Sequence, residues 1–274
     1  MNTTAIRAIM VQSIKDSLRA KWLISFTIVF FFLAVNVPEI ILLILGNLPP
    51  NYLNAYLGLL VTLSYPYLPL LSLPIGAAAV VEERESGALQ YVLSNPLSRF
   101  DFLVGRLLGL LLATTAAVVA GYGVAALVAF HSDVVGYAVM VRLMLIAIML
   151  NATMLSISLF ISIVARRKAA ALGAAIFLWF VLTAITDIGE TGISVAVATS
   201  PLYVVPLILL NPVQSSSVLA LLQLNLPNEE IGIALAVKDT LGAAGSSIVT
   251  LSLLVWFFVL LLACFLIFRK QDVP

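Results

Sequence analysis

Side chains able to perform chemistry are few in this sequence of 274 residues. One His and one Cys exclude a zinc site built from those ligands and an H-E-x-x-H motif. No G-x-x-x-x-G-K-[ST] occurs, nor any Gly-Lys pair, so the chain cannot cradle ATP phosphates through a P-loop. Cys264 sits in an apolar run with no intrachain partner for a disulfide. The 14 Lys and Arg against 13 Asp and Glu give a net charge of +1, which excludes a basic nucleic-acid surface. Three groups of polar residues remain: a charged stretch from Glu82 to Arg99, prolines and small polar side chains inside apolar sequence, and two isolated charges, Glu39 and Arg142. None pairs a nucleophile with a base, so no catalytic residue is assigned.

The elements that position these groups follow from composition. The chain is 62% hydrophobic and 10% charged, with mean hydropathy +1.16, against about 45–50% and about 25% in soluble domains. Six continuous apolar segments, 22–45, 53–81, 107–130, 138–164, 169–185 and 246–268, approach or exceed the roughly 20 residues that cross a bilayer as a helix. A barrel would show shorter alternating segments. The fold class is therefore an all-α integral membrane protein, one transmembrane domain over 1–274 with six transmembrane helices. No removable signal peptide is expected, because the first apolar run begins at Trp22 and lacks a small-residue cleavage site. Twelve of the 14 cations fall before span one, between spans two and three, between four and five, or after span six. The positive-inside rule puts those segments and both termini in the cytoplasm, at the plasma membrane. A seventh span over 192–210 is disfavoured by charge and by Pro201 and Pro206. Residues 188–245 are expected to form an outer, re-entrant cap of short helices broken at Ser200-Pro201, Asn211-Pro212 and Leu226-Pro227.

Ahead of the first span, Ile6, Ile9, Met10, Ile14 and Leu18 recur at helical spacing beside Arg7, Lys15 and Arg19. This predicts a basic amphipathic helix over 1–21 lying in the lipid interface. The second span carries Pro66, Pro69 and Pro74 and must bend or break where protein or water satisfies the freed carbonyls, which makes it a hinge candidate. Asn151, Ser158 and Ser162 share a face of the fourth span and are expected to bond a neighbouring helix, with a substrate contact as the alternative for Asn151 and Ser158. Gly105 with Gly109, and Ala169 with Gly173, suit close helix packing. Glu39 and Arg142 both fall near the outer interface and are placed to form an ion pair.

The loop over 82–106 is longer than a reversal requires. Leu89, Val92 and Leu93 make a one-turn apolar stripe, the acidic run before them suits a helix N-terminus, and Asn95-Pro96 ends it. Ser98 and Asp101 form an S-x-x-D capping box opening the next helix. The stripe is expected to face away from the membrane towards a partner, and Arg84 to be exposed. The run E-E-R-E-S-G-A-L-Q-Y-V-L-S-N-P-L-S-R, followed by F-D-F-L-V-G-R-L-L-G, resembles the first cytoplasmic loop of ABC exporter type-2 permeases, in particular the NosY-like branch. Glu83, Arg84, Gly87, Leu89, Leu93, Pro96, Leu97 and Arg99 match that pattern, whereas Ala88 and Gln90 stand where a hydroxyl and a carboxylate are usual. The resemblance implies a cytoplasmic coupling helix that docks in a groove of a separate ABC ATPase subunit, which binds ATP and Mg; this chain carries no cofactor. It also implies a homodimer of permeases among membrane lipids; the sequence offers no charged cage for an ion, so the expected export substrate is apolar or amphipathic. Competing readings are a non-transporting scaffold that passes ATPase motion to an extracytoplasmic partner, and a secondary transporter.

Overall fold

A computed structural model describes residues 3–19, 21–46, 52–94, 97–129, 134–197, 201–224 and 233–271. The described residues form helices α1 (Thr3–Arg19), α2 (Lys21–Leu45), α3 (Tyr52–Ser64), α4 (Leu68–Ala79), α5 (Val81–Glu85), α6 (Ala88–Leu93), α7 (Arg99–Ala129), α8 (Val134–Val164), α9 (Lys168–Val197), α10 (Pro201–Leu210), α11 (Pro212–Leu221), α12 (Ile233–Leu241) and α13 (Gly245–Lys270). Among these residues four stretches are long and apolar enough to cross a membrane: Tyr52–Glu85, Arg99–Leu127, Gly136–Val164 and Ile233–Lys270. Two bent pairs raise the number to six if each counts as one span: Leu23–Leu33 with Val35–Ile44 at 44°, and Val204–Leu210 with Pro212–Leu221 at 113°. The expected span 169–185 coincides with a shorter apolar stretch, Lys168–Ala184.

Helix α8 is the centre of the bundle, packed against α4, α7, α9, α11 and α13. Its buried face mixes Leu143, Leu150 and Met154 with Asn151, Ser156 and Ser158. Large apolar side chains such as Phe32, Leu43, Phe177 and Phe258 lie exposed on the outside, as suits a surface solvated by lipid.

Prolines shape two of the spans. A proline ring clashes with the carbonyl four residues earlier, so Pro38 accounts for the 44° bend of α2 between Leu33 and Val35. The second span breaks at a turn over residues 65–67, with Pro66 in the turn, Pro69 in the first turn of α4 and Pro74 within α4. Protein groups hold the break. The Trp179 indole donates to the Pro66 carbonyl at 2.9 Å, and the buried Tyr65 hydroxyl donates to the Leu143 carbonyl at 2.8 Å.

The N-terminal helix turns a different face inward than its apolar periodicity predicts. Ile6, Ile9, Ser13 and Ser17 are buried, while Leu18 and Val11 are exposed. The cause is close approach to α7: a Cβ at Gly109 would lie 2.5 Å from the Ser13 Cβ and 2.6 Å from the Met10 carbonyl oxygen, and one at Gly105 would lie 3.0 Å from the Ile9 Cβ. Small residues on both helices select the contact, and Val11 and Leu18 are left for the outside.

Candidate functional site

The stretch that follows α4 is fixed to the bundle at both of its ends. At the α4–α5 junction the backbone N–H groups of Val80 and Val81 donate to Ser162 Oγ on α8 at 2.9 and 3.0 Å. Gly87 joins α5 to α6 with φ +74°, and nothing lies within 4 Å of a Cβ placed there. Backbone handedness, and not crowding, is what asks for glycine at that position. Beyond α6, Ser98 Oγ accepts the Asp101 N–H at 3.0 Å, the forward bond of the predicted capping box.

Two arginines of this stretch clamp helix C-termini. Arg84 donates to the carbonyls of Ile163 and Ala165 at the end of α8, both at 3.1 Å, and to Gln271 Oε1 at 2.8 Å. Arg99 donates to the carbonyls of Phe268 at 2.8 Å and Arg269 at 3.1 Å, and to that of Gln271, at the end of α13. A cation suits these positions because the last carbonyls of a helix are unpaired and carry the negative end of its dipole. Arg84 is therefore half-buried and occupied, contrary to the expectation of an exposed charge.

Leu89 corrects a second expectation. It is 0% exposed and belongs to a cluster with Val80, Phe102, Ile163 and Phe268, so it points into its own bundle and not towards a partner. The bundle supplies an apolar pocket beneath α6, and burying one Leu there removes the need for a second protein to cover it. Leu97 packs partly buried on the same cluster. Tyr91 projects the other way, 77% exposed, with Gln90 and Ser94 also exposed. Asn95 and Pro96, and the side chain of Leu93, lie outside the described residues.

Arg106, read from sequence only as an orienting charge, is the hub beneath this stretch. Its Nε and one Nη donate to the Ala79 carbonyl at 3.2 and 2.8 Å; the other Nη donates to Ser13 Oγ at 3.1 Å. It pairs with Glu83 at 3.1 Å and Asp16 at 3.5 Å, its side chain 8% exposed. One guanidinium thus ties α1, α4 and α5 to α7. Beside it lies a cavity of about 310 Å³, bordered by Ser17, Pro74 and the surface pair Lys168–Glu82 at 2.8 Å. The available signal was a cation between Gly105 and Gly109 at the start of an apolar span, where only a protein partner compensates it.

Polar groups deeper in the bundle join helices. Asn151 Nδ2 donates to Thr114 Oγ1 on α7 at 2.8 Å. Ser158 Oγ, expected to bond a neighbouring helix, instead donates to the Leu155 carbonyl of its own helix at 2.9 Å; it sits where a Cβ on Gly76 would fall, so α4 and α8 meet there by close packing. Glu39 and Arg142 form no ion pair among the described residues, and both are exposed. Helix α2 packs on α3 and α7, whereas Arg142 faces a groove beside α11 and α13, so the fold separates them. Among the described residues no cluster of three or more His, Cys, Asp or Glu could hold a metal ion.

At the opposite end, α10 and α11 fold back on each other at Asn211. The Asn211 side chain caps α11, accepting from Val213 N–H at 3.0 Å, and donates to the Leu182 carbonyl at 2.9 Å. Ser252 and Trp256 donate to the Leu209 carbonyl at 2.9 and 3.2 Å, and Ser215 to that of Ile208 at 2.8 Å. Residues 212–220 are all buried. The predicted break at Asn211-Pro212 is thus a sharp reversal packed in protein; residues at the other two predicted breaks, 198–200 and 225–232, lie outside the described set.

Residues 7–273 match the model of the ABC-2 family transporter protein. The chain is 29% identical over 270 residues to the probable ABC transporter permease protein NosY of Stutzerimonas stutzeri, covering 95% of this chain and 96% of that one. It is 29% identical over 208 residues to the protein of the same name from Pseudomonas aeruginosa strain PAO1, covering 73% and 76% respectively.

Proposed function

Because the chain belongs to the ABC-2 family of transporter proteins and is a multi-pass permease component of an ABC transporter, we propose that it exports an apolar or amphipathic substrate across the plasma membrane. A separate cytoplasmic ATPase subunit binds ATP and Mg and supplies the energy. Both termini and the α5–α6 stretch face that subunit.

The observation that carries the reading is the two-sidedness of α6. Its inner side is anchored by Leu89, and its flanks are anchored by Arg84, Arg99 and the Glu83–Arg106 pair. Its outer side offers Gln90 and the exposed Tyr91. An element anchored in this way passes a push on its outer surface to α7, α8 and α13 together. Tyr91 and Gln90 thus take the contact with the ATPase. Glu83, Arg84, Gly87, Leu89 and Arg99 hold the element in shape, as positioning residues.

A groove of about 450 Å³ between α2 and the α3–α4 break, lined by Phe26, Phe30, Leu33, Leu63 and Tyr67, supports the substrate class. Closed by a second copy of the chain, it would form an apolar route beside Pro66, the hinge of the second span. The test is purification of Tyr91→Asp together with the ATPase. A carboxylate forced into a small buried contact should release the ATPase, while the permease keeps its native helicity and elution volume. Undiminished ATPase retention and transport by Tyr91→Asp would remove α6 as the docking element.

A further inference from the structure

We propose that the groove between α8 and α13 near the α10–α11 end is a binding site for one glycerophospholipid, with its phosphate on Arg142. The groove has a volume of about 530 Å³. Helices α8 and α13 run from that end in the same direction, so their numbering marks depth together. Arg142 and Ser246 line the upper part with Gln223, while Leu145, Met149 and Leu254 line the lower. The seven residues from Arg142 to Met149 rise by about 10 Å at roughly 1.5 Å per residue, so polar lining gives way to apolar lining along the bilayer depth.

The occupant follows from charge and from surroundings. Arg142 lies inside the apolar window Gly136–Val164 and is exposed, and among the described residues no carboxylate stands within ion-pair distance of it. A guanidinium at that depth is costly until it reaches water or an anion. Below it, Leu145 is 53% and Leu254 40% exposed, so the groove opens to the surface that meets lipid. A single molecule that offers an anion at interface depth and a hydrocarbon chain beneath it fits both halves. Guanidinium is also the side chain best matched to a phosphate, through paired N–H donors. The inference rests on α8 and α13 spanning the membrane and is independent of ATPase coupling.

Native mass spectrometry of the purified full-length protein, titrated with dioleoylphosphatidylglycerol, tests it. One tightly held lipid per chain is expected. Arg142→Ala should weaken binding by roughly tenfold, the factor that about 1.4 kcal/mol represents, and Arg142→Lys should keep most of it. Leu254→Ser should weaken it as well. Dioleoylglycerol, with the same chains and no phosphate, should bind the native protein at least roughly tenfold more weakly, and millimolar inorganic phosphate should not displace the phospholipid. Equal retention of phosphatidylglycerol by the native protein and Arg142→Ala overturns the site, as does equal binding of dioleoylglycerol. Should Arg142→Ala fail to fold, the comparison of the two lipids on the native protein decides alone.

Discussion

The two ends of the bundle solve one problem with different chemistry. Each has helix C-termini whose last carbonyls must find donors. At the end bearing α5 and α6, the donors are mainly charged: Arg84 on α8, Arg99 on α13 and Arg106 on α4, with the neutral Gln271 amide joining Arg84 on the Ile163 carbonyl. At the α10–α11 end, where α10 stops, they are neutral: Ser215, Ser252 and Trp256. Desolvation explains the division. Arg84 and Arg99 stay partly exposed, so they gain charge-assisted bonds at small cost, and Arg106 is compensated by Glu83 and Asp16. Helix α11 is buried along its length, where an uncompensated cation would cost far more than a hydroxyl or amide.

This contrast makes Arg106→Leu the most damaging substitution. It leaves Glu83 without its cation and the Ala79 carbonyl without a donor, a loss of about 3–5 kcal/mol of the kind seen when one partner of a buried pair is removed. The apparent melting temperature in a single detergent should fall sharply, and a double change with Glu83→Gln should recover part of it. A drop no larger than that of a surface mutant would mean that the hub is not structural.

Next come the clamps. Arg84→Ala should cost about 1.5–3 kcal/mol, the range for hydrogen bonds to charged groups, and Arg84→Gln should restore only part, because it keeps a donor without the charge. Full rescue by Gln would break the distinction drawn between the two ends. At the neutral end, Asn211→Ala should cost about 1–2 kcal/mol through loss of the α11 cap. Asn211→Asp should be no better despite preserving the cap acceptors, since it loses the donor to the Leu182 carbonyl and adds a buried charge. Smallest in stability is Tyr91→Ala, within about 0.5 kcal/mol as for other exposed side chains, and its melting temperature should match the native protein's.

Several features were legible without coordinates. Apolar length made the chain an all-helical membrane protein, Asn211-Pro212 marked a break, and Pro66 marked the interruption of the second span. Ser98 and Asp101 announced the start of α7, because capping is a contest among neighbours a few residues apart. The family motif also pointed to the stretch around α6. Local sequence carries such signals because the competing interactions are themselves local.

What only the tertiary structure decided is where each side chain in these elements is spent. Leu89 reads as a free apolar face until Phe102 and Phe268, far away in sequence, are seen to cover it. Arg84 reads as a solvent charge until the end of α8 arrives beside it, and Glu39 and Arg142 read as partners until packing sets them apart. The inward face of α1 was decided by Gly105 and Gly109, not by its own apolar period. Within a bilayer, burying one apolar face and not another gains little, since lipid is as apolar as leucine. Hydrophobic pattern therefore fixes which segments are helices and leaves their facing to close backbone approach and to the pairing of polar groups, both of which depend on partners distant in the chain.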